Sequence, residues 1–217
     1  LFSAVRNALF KPRGEQIKTL IEEFHYPERG PGMMWERVVE LLAARGSKVI
    51  MNADAAKIKR DGDKVIGVEA VVDGATRFFP ATDVISSAPL TELIAKIDPP
   101  VPPEIAASVK HLSYRDFITV VLILDKPNLF PDNWIYVHSP DVQVGRIQNF
   151  ANWSPHMVPD PDTSSLGLEY FCTEGDALWQ MPEAELLALG KRELETIGLS
   201  YGAHVVDGTV VRQLKAY

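Results

Sequence analysis

The sequence predicts a mixed α/β fold of the α+β kind, with antiparallel sheet in both halves. Three observations carry that reading. Two stretches space their apolar residues as amphipathic helices do, short β-type runs are separated by Asp-Gly pairs, and one proline-rich stretch divides the chain.

Residues 32–45 (GMMWERVVELLAAR) place Met34, Val38, Leu41 and Leu42 at i, i+4, i+7 and i+8, with Trp35 beside them, and Gly46 stops the helix. Short β segments follow at 48–51, 55–59, 65–72 and 76–79, with Asp61-Gly62 and Asp73-Gly74 as hairpin-type turns. Residues 84–87 (VISS) read as a strand ending in small side chains, and a helix over 90–97 begins after Pro89. The run 98–103 (DPPVPP) is the strongest punctuation and sets the expected division into 1–97 and 98–217. Beyond it come a short helix over 104–111 and strands at 116–124, 133–138, 144–150 and 166–172. A helix over 182–197, with Leu186, Leu187, Leu194 and Ile197 among Glu and Lys, ends at Gly198, and 204–213 closes as a strand. Within 144–150, alternation puts Val144, Arg146 and Gln148 on one side and Gly145, Ile147 and Asn149 on the other. Arg146 is then expected to point into a cavity beside Gln148. No internal repeat is visible.

The 217 residues carry 22 Lys plus Arg against 29 Asp plus Glu, a formal charge of −7, which argues against nucleic acid as a partner. Hydrophobic residues at 46% and charged residues at 24% are an ordinary globular mixture, enough for one large domain or two small ones. One cysteine, Cys172, allows no intrachain disulfide and fits a reducing compartment, so a cytoplasmic location is expected. The longest apolar run, 117–124, is far short of a membrane span. The start at 1–9 (LFSAVRNAL) is in mid-pattern without a cap, and 209–217 (TVVRQLKAY) reads as a strand that stops without a turn. A fragment of a longer polypeptide is the expectation.

Several familiar signals fail. Gly30-Pro31-Gly32 would need a third glycine where Trp35 stands, and neither a Walker A sequence nor a Gly-x-Ser-x-Gly elbow occurs. His25, His111, His138, His156 and His204 have no metal-ligand spacing, so no metal site is assigned. Cys172, at the end of an apolar run, reads as a small core residue.

Three segments hold more unusual composition than a plain core requires. Residues 24–35 (FHYPERGPGMMW) lead aromatics through two glycines into a helix N-terminus; they suit either a capped loop or a site facing an anion or a ring edge. Residues 83–89 (DVISSAP) offer a strand end where a flat ligand could approach backbone, or a plain turn. Residues 146–159 (RIQNFANWSPHMVP) gather an Arg fork and a Trp stacking face, though an outward, solvated Arg fits equally.

The order of these segments resembles flavoproteins of the amine oxidase, protoporphyrinogen oxidase and UDP-galactopyranose mutase superfamily, over nearly the whole chain from about Glu23. Tyr26-Pro27 through Trp35 resembles the loop that opens a helix there, and the turn ending 84–89 (VISSAP) resembles the one that follows its β meander. Arg146, Asn152, Trp153, Ser154 and Pro155 are most similar to eukaryotic-type galactopyranose mutases. The superfamily's Gly-rich phosphate turn, acidic ribose ligand and second flavin motif have no counterpart in the sequence. Arg29-Gly30-Pro31-Gly32 stands where a Gly-Gly pair is common, and His25 where a basic residue is.

The resemblance implies the middle of an FAD/NAD(P)-binding flavoprotein fold, a β meander plus most of a substrate domain with antiparallel sheet and helices. It implies FAD in a parent enzyme that transfers a hydride from an amine or a carbon–carbon bond to flavin N5. FAD is not expected to stay on this chain alone. A flavin-dependent mutase, with Arg146 clamping the diphosphate of a nucleotide sugar, is the alternative; a non-catalytic binding or structural module is a third. By resemblance Ala55, Ser87, Ala88 and Pro89 flank the adenine end of FAD, with Gly30 and Gly32 also at the cofactor. Arg146, Asn152, Trp153 and Tyr26 are the substrate-side residues, and the catalytic residue and oligomeric state stay unassigned.

Overall fold

A computed structural model describes residues 24–201 and 203–217. The unusual start at 1–9 and residue Glu23 lie outside the described residues.

Helix α1 (Gly32–Ala44) forms where the spacing places it, and Gly46 follows with φ +78°. Its apolar stripe is open: Trp35 is 63% exposed and no residue of the helix is buried. Strands β1 (Ala53–Asp61), β2 (Lys64–Val72) and β3 (Ala75–Pro80) make an antiparallel meander. The second turn is Asp73-Gly74, with φ +50° and +81°, the paired positive values that a two-residue hairpin of matching twist requires. Helix α2 (Leu90–Ala95) leads to the short β4 (Ile97–Asp98), which lies parallel to β1 and gives the sheet order β3-β2-β1-β4.

After α3 (Pro103–Val109) comes β5 (Asp116–Leu124), then β6 (Trp134–Tyr136), β7 (Arg146–Asn149), the short helix α4 (Phe150–Trp153) and a 3-10 turn (Pro155–Met157). The chain ends through β8 (Ser164–Cys172), α5 (Ala177–Gln180), α6 (Glu183–Thr196) and β9 (Val205–Gln213). These five strands form an antiparallel sheet in the order β6-β7-β8-β5-β9. The β-branched run of β5 sits inside it, paired to β8 and β9, and its burial alternates strictly. Ile118, Val120, Leu122 and Leu124 face one way with Leu166, Leu168, Tyr170 and Ile147, against Leu186, Leu189 and Leu194 of α6. All of the core strand residues named here are fully buried.

Three sequence expectations change. Residues 48–51 and 84–87 are not strands, and Ile85 is fully exposed. Apolar composition alone cannot make a strand: the ladder needs a neighbour, and neither stretch has one among the described residues. Nor does the C-terminal strand stop without a turn. The chain turns at Leu214 and Lys215, and Tyr217 exchanges two backbone hydrogen bonds with Arg115, at 2.7 and 3.1 Å. Val144 is also misplaced by simple alternation, because β7 begins only at Arg146 and Val144 lies in the core.

Two readings of core packing can be tested directly. Leu168→Ala removes a fully buried side chain between β5 and α6 and is expected to cost about 2–5 kcal/mol. Ile85→Ala is expected to stay within about 0.5 kcal/mol. Urea unfolding of the chain, monitored by circular dichroism, reads both.

Candidate functional site

Strand alternation turns the other face of the five-stranded sheet away from the core. Its central row, read across the ladder, is Tyr136, Arg146, Glu169, Thr119 and Val211. The next row is Trp134, Gln148, Gly167, Val121 and Thr209. Gly167 is required here by close approach: a Cβ would lie 2.9 Å from Cζ of the Phe150 ring that covers it. On the opposite side of the central row stand Phe117 and Phe171, with the Tyr217 ring 6.3 and 6.2 Å from them.

The centre of this face is an ion pair. Glu169 is 2% exposed, a carboxylate that burial would strongly disfavour without partners. Arg146 Nε donates to Glu169 Oε2 at 2.6 Å, its terminal nitrogen reaches the same oxygen, and the Gln148 amide donates to Oε1. The guanidinium carbon lies 5.9 Å from the centre of the Tyr136 ring. Burial works against the Arg146 charge, but the hydrogen bond to Glu169 and contact with Tyr136 outweigh it and raise its pKa further. Arg146 therefore does not point into a cavity as a free cation. It lies on the sheet beside Gln148, and its charge is balanced.

Two more buried carboxylates hold the surroundings in place through backbone N–H groups. Glu193 of α6 accepts from Gln143 and Val144 at 2.8 and 3.0 Å, which fixes the approach to β7. Asp116 accepts from Glu174 and Lys215 at 2.6 Å each. Tyr170 lies near Glu193 but makes no hydrogen bond of good geometry; burial, then Glu193, pushes its phenol pKa up.

The structure brings the 24–35 and 146–159 segments together. Trp153 stacks on Trp134 at 5.0 Å and 21°, and Tyr26 and Phe24 pack on it at 5.0 and 5.6 Å. Glu28 Oε1 is 2.9 Å from His156 Nε2, and the positive-φ Gly30 lies against Met157. Gly32 opens α1, and a Cβ added there would meet nothing within 4 Å. Asn152 is occupied: its amide donates to the carbonyls of Phe130 and Asp132 at 2.7 and 2.9 Å. The Trp153 indole N–H is buried and unpartnered.

The third segment lies elsewhere. Ser87, Ala88 and Pro89 border a cavity of about 420 Å³ together with Glu92, Tyr114 and Tyr217. Lys215, also on its wall, is hydrogen-bonded to Glu92, which raises the lysine pKa and lowers that of the acid. Tyr217 belongs both to this cavity and to the aromatic group on the sheet, so the two regions adjoin. Ala55, in β1 opposite Ala70, is exposed.

A family model described as flavin containing amine oxidoreductase matches residues 6–212. The chain belongs to that family. Among solved structures it is similar to reduced UDP-galactopyranose mutase, with a TM-score of 0.70 and 18% identity over 88% of this chain and 40% of the other. A putative protoporphyrinogen oxidase from Exiguobacterium sp. 255-15 gives 0.64 and 17%, over 88% and 40%. A wild-type putrescine oxidase bound to putrescine gives 0.56 and 19%, over 83% and 38%. These proteins share the fold, and the chain spans about 40% of their length. No curated protein matches the sequence.

Small side chains at Ser87 and Ala88 leave a turn backbone open to the cavity, which fits the edge of a flavin nucleotide. The cavity's Lys215 is paired with Glu92, so a pyrophosphate placed there would need other donors. Among the described residues no three His, Cys, Asp or Glu are grouped to hold a metal ion, and no helix is long and apolar enough to cross a membrane. Sequence reading missed Glu169. The signal was present: Leu166, Leu168, Tyr170 and Cys172 alternate with Gly167, Glu169 and Phe171, which puts the acid on the non-core face.

Cys172 is 3% exposed, and burial, then Asp116, raises its thiol pKa. At pH 8 it is expected to react with Ellman's reagent far more slowly in the folded chain than in urea. Trp153→Ala, which empties the centre of the aromatic group, is expected to cost about 3 kcal/mol by the same urea unfolding.

Proposed function

We propose that this chain is the central part of a longer FAD-dependent oxidoreductase, in which residues 1–97 supply a substrate-domain helix and the C-terminal part of the FAD-binding domain and 98–217 form the substrate-binding domain. The observation that carries the reading is the match to flavin containing amine oxidoreductases over residues 6–212, and the aromatic face around Arg146 and Glu169 is where the substrate is placed. When bound, flavin supplies a hydride acceptor. The residues of the chain supply placement. Ala55 and the Ser87-Ala88-Pro89 turn take the adenosine end, and Gly30 and Gly32 allow close backbone approach near the start of α1. Trp153, with Tyr26 packed on it, walls one side of the substrate face, and Asn152 holds the loop carrying Phe130 in register. Phe117, Phe171 and Tyr217 wall the other side, next to the cavity of the Ser87-Ala88-Pro89 turn.

The mutase reading needs Arg146 as a free clamp for a diphosphate. Its engagement by Glu169 weighs against that use, so the substrate is an oxidisable small molecule before it is a nucleotide sugar.

A longer protein carrying this chain is expected to purify yellow, with flavin absorbance. The 217-residue chain dialysed against excess FAD is expected to keep none. In the longer protein, Ala88→Trp should weaken FAD retention at least tenfold, about 1.4 kcal/mol, because the indole would fill the open turn. A colourless longer protein, or unchanged retention in Ala88→Trp, goes against the assignments.

A further inference from the structure

The apolar stripe of α1 and the groove between α2 and α3 offer surface without chemistry, and Lys215 and Glu92 neutralise each other at the cavity. The open sheet face is different, because there one buried acid decides the charge that a ligand meets.

We propose that Glu169 is the specificity-determining residue of this face: by engaging Arg146 it makes the centre neutral, and the substrate received there is uncharged and planar at its contacting end. The proposal rests on the reading of this face as the substrate side.

Both oxygens of Glu169 are occupied, one by Arg146 and one by Gln148, and the acid is almost fully buried beneath them. Arg146 remains 22% exposed at its side chain, so a ligand on the face touches the guanidinium, but two of its five N–H donors are directed at the carboxylate and its charge is balanced there. The next residue in the row, Thr119, can hydrogen-bond and carries no charge. Around this centre Trp134, Tyr136, Phe171 and Tyr217 are exposed, between 36% and 62%, and offer ring faces for stacking. An anionic substrate would meet a guanidinium whose charge Glu169 already balances. A cationic one would meet a guanidinium before it met the acid. A neutral ring needs no charge there.

Removing one partner at a time should expose the charge of the other. Glu169→Gln keeps shape and frees Arg146, so the face becomes an anion site. Arg146→Met keeps apolar bulk and leaves Glu169 held by Gln148 alone, so the face becomes a cation site. Arg146→Met combined with Glu169→Gln is neutral again. The chain itself is titrated by calorimetry with UDP, with benzyltrimethylammonium and with indole, after circular dichroism has shown that each variant is folded. The wild type is expected to bind indole more tightly than either ion. Glu169→Gln should gain at least tenfold for UDP, Arg146→Met at least tenfold for the ammonium ion, and the double variant should gain for neither. The proposal is overturned if the wild type prefers UDP or the ammonium ion to indole, or if folded single variants gain no affinity for their respective ions. Should one single variant fail to fold, the other and the wild-type preference still decide. A colourless longer protein would remove the flavin reading and leave these titrations as they are; failure of the titrations would leave the flavin reading standing.

Discussion

A carboxylate buried in the middle of a sheet must be matched, and the match at Glu169 organises the face around it. An unpaired buried charge costs several kcal/mol, more than most single contacts in a domain contribute. Glu169 meets this with two donors from the adjacent strand, so β7, only four residues long, is fastened to β8 by side chains as well as by its ladder. Glu193 fastens the same strand from the other side, through the backbone N–H groups just before it. Glu193 and Asp116 are satisfied by backbone N–H groups, whereas Glu169 is matched by a cation, and it is on the open face. Charge balance and strand placement are therefore one constraint at this point.

Much of the architecture was legible because its signals are local. The β-branched run of β5 is a strand over the same residues that composition marks, and Gly46, Gly198 and Asp73-Gly74 end or turn elements through positive φ, which few other residues accept. Misreadings arose where local composition had no neighbour to act on. Residues 48–51 and 84–87 have strand-like residues but no pairing partner among those described. In β8 the error ran the other way: Ser164 and Ser165 look like loop residues, yet they extend the strand because β5 has backbone groups opposite them.

The candidate site was half legible. Tyr26 and Trp153 were singled out from distant segments, and they are in contact, which nothing in the composition of either segment indicates. Arg146 was read as a fork for an anion because its partner, 23 positions away, is invisible to spacing along the chain. Register supplied it: β7 and β8 place Arg146 directly opposite Glu169. Asn152 changed meaning in the same way, from a ligand donor to a tie on the carbonyls of Phe130 and Asp132.

Whether Glu169 holds the Arg146 charge in solution decides the character of the whole face. Arginine side-chain NMR of the chain measures this through the exchange of the Nε–H proton with water. Arg146 is expected to give a resolved signal that exchanges much more slowly than that of exposed Arg77 and speeds up in Glu169→Gln. An Arg146 proton exchanging as fast as that of Arg77 would contradict the ion pair, and with it the neutral face.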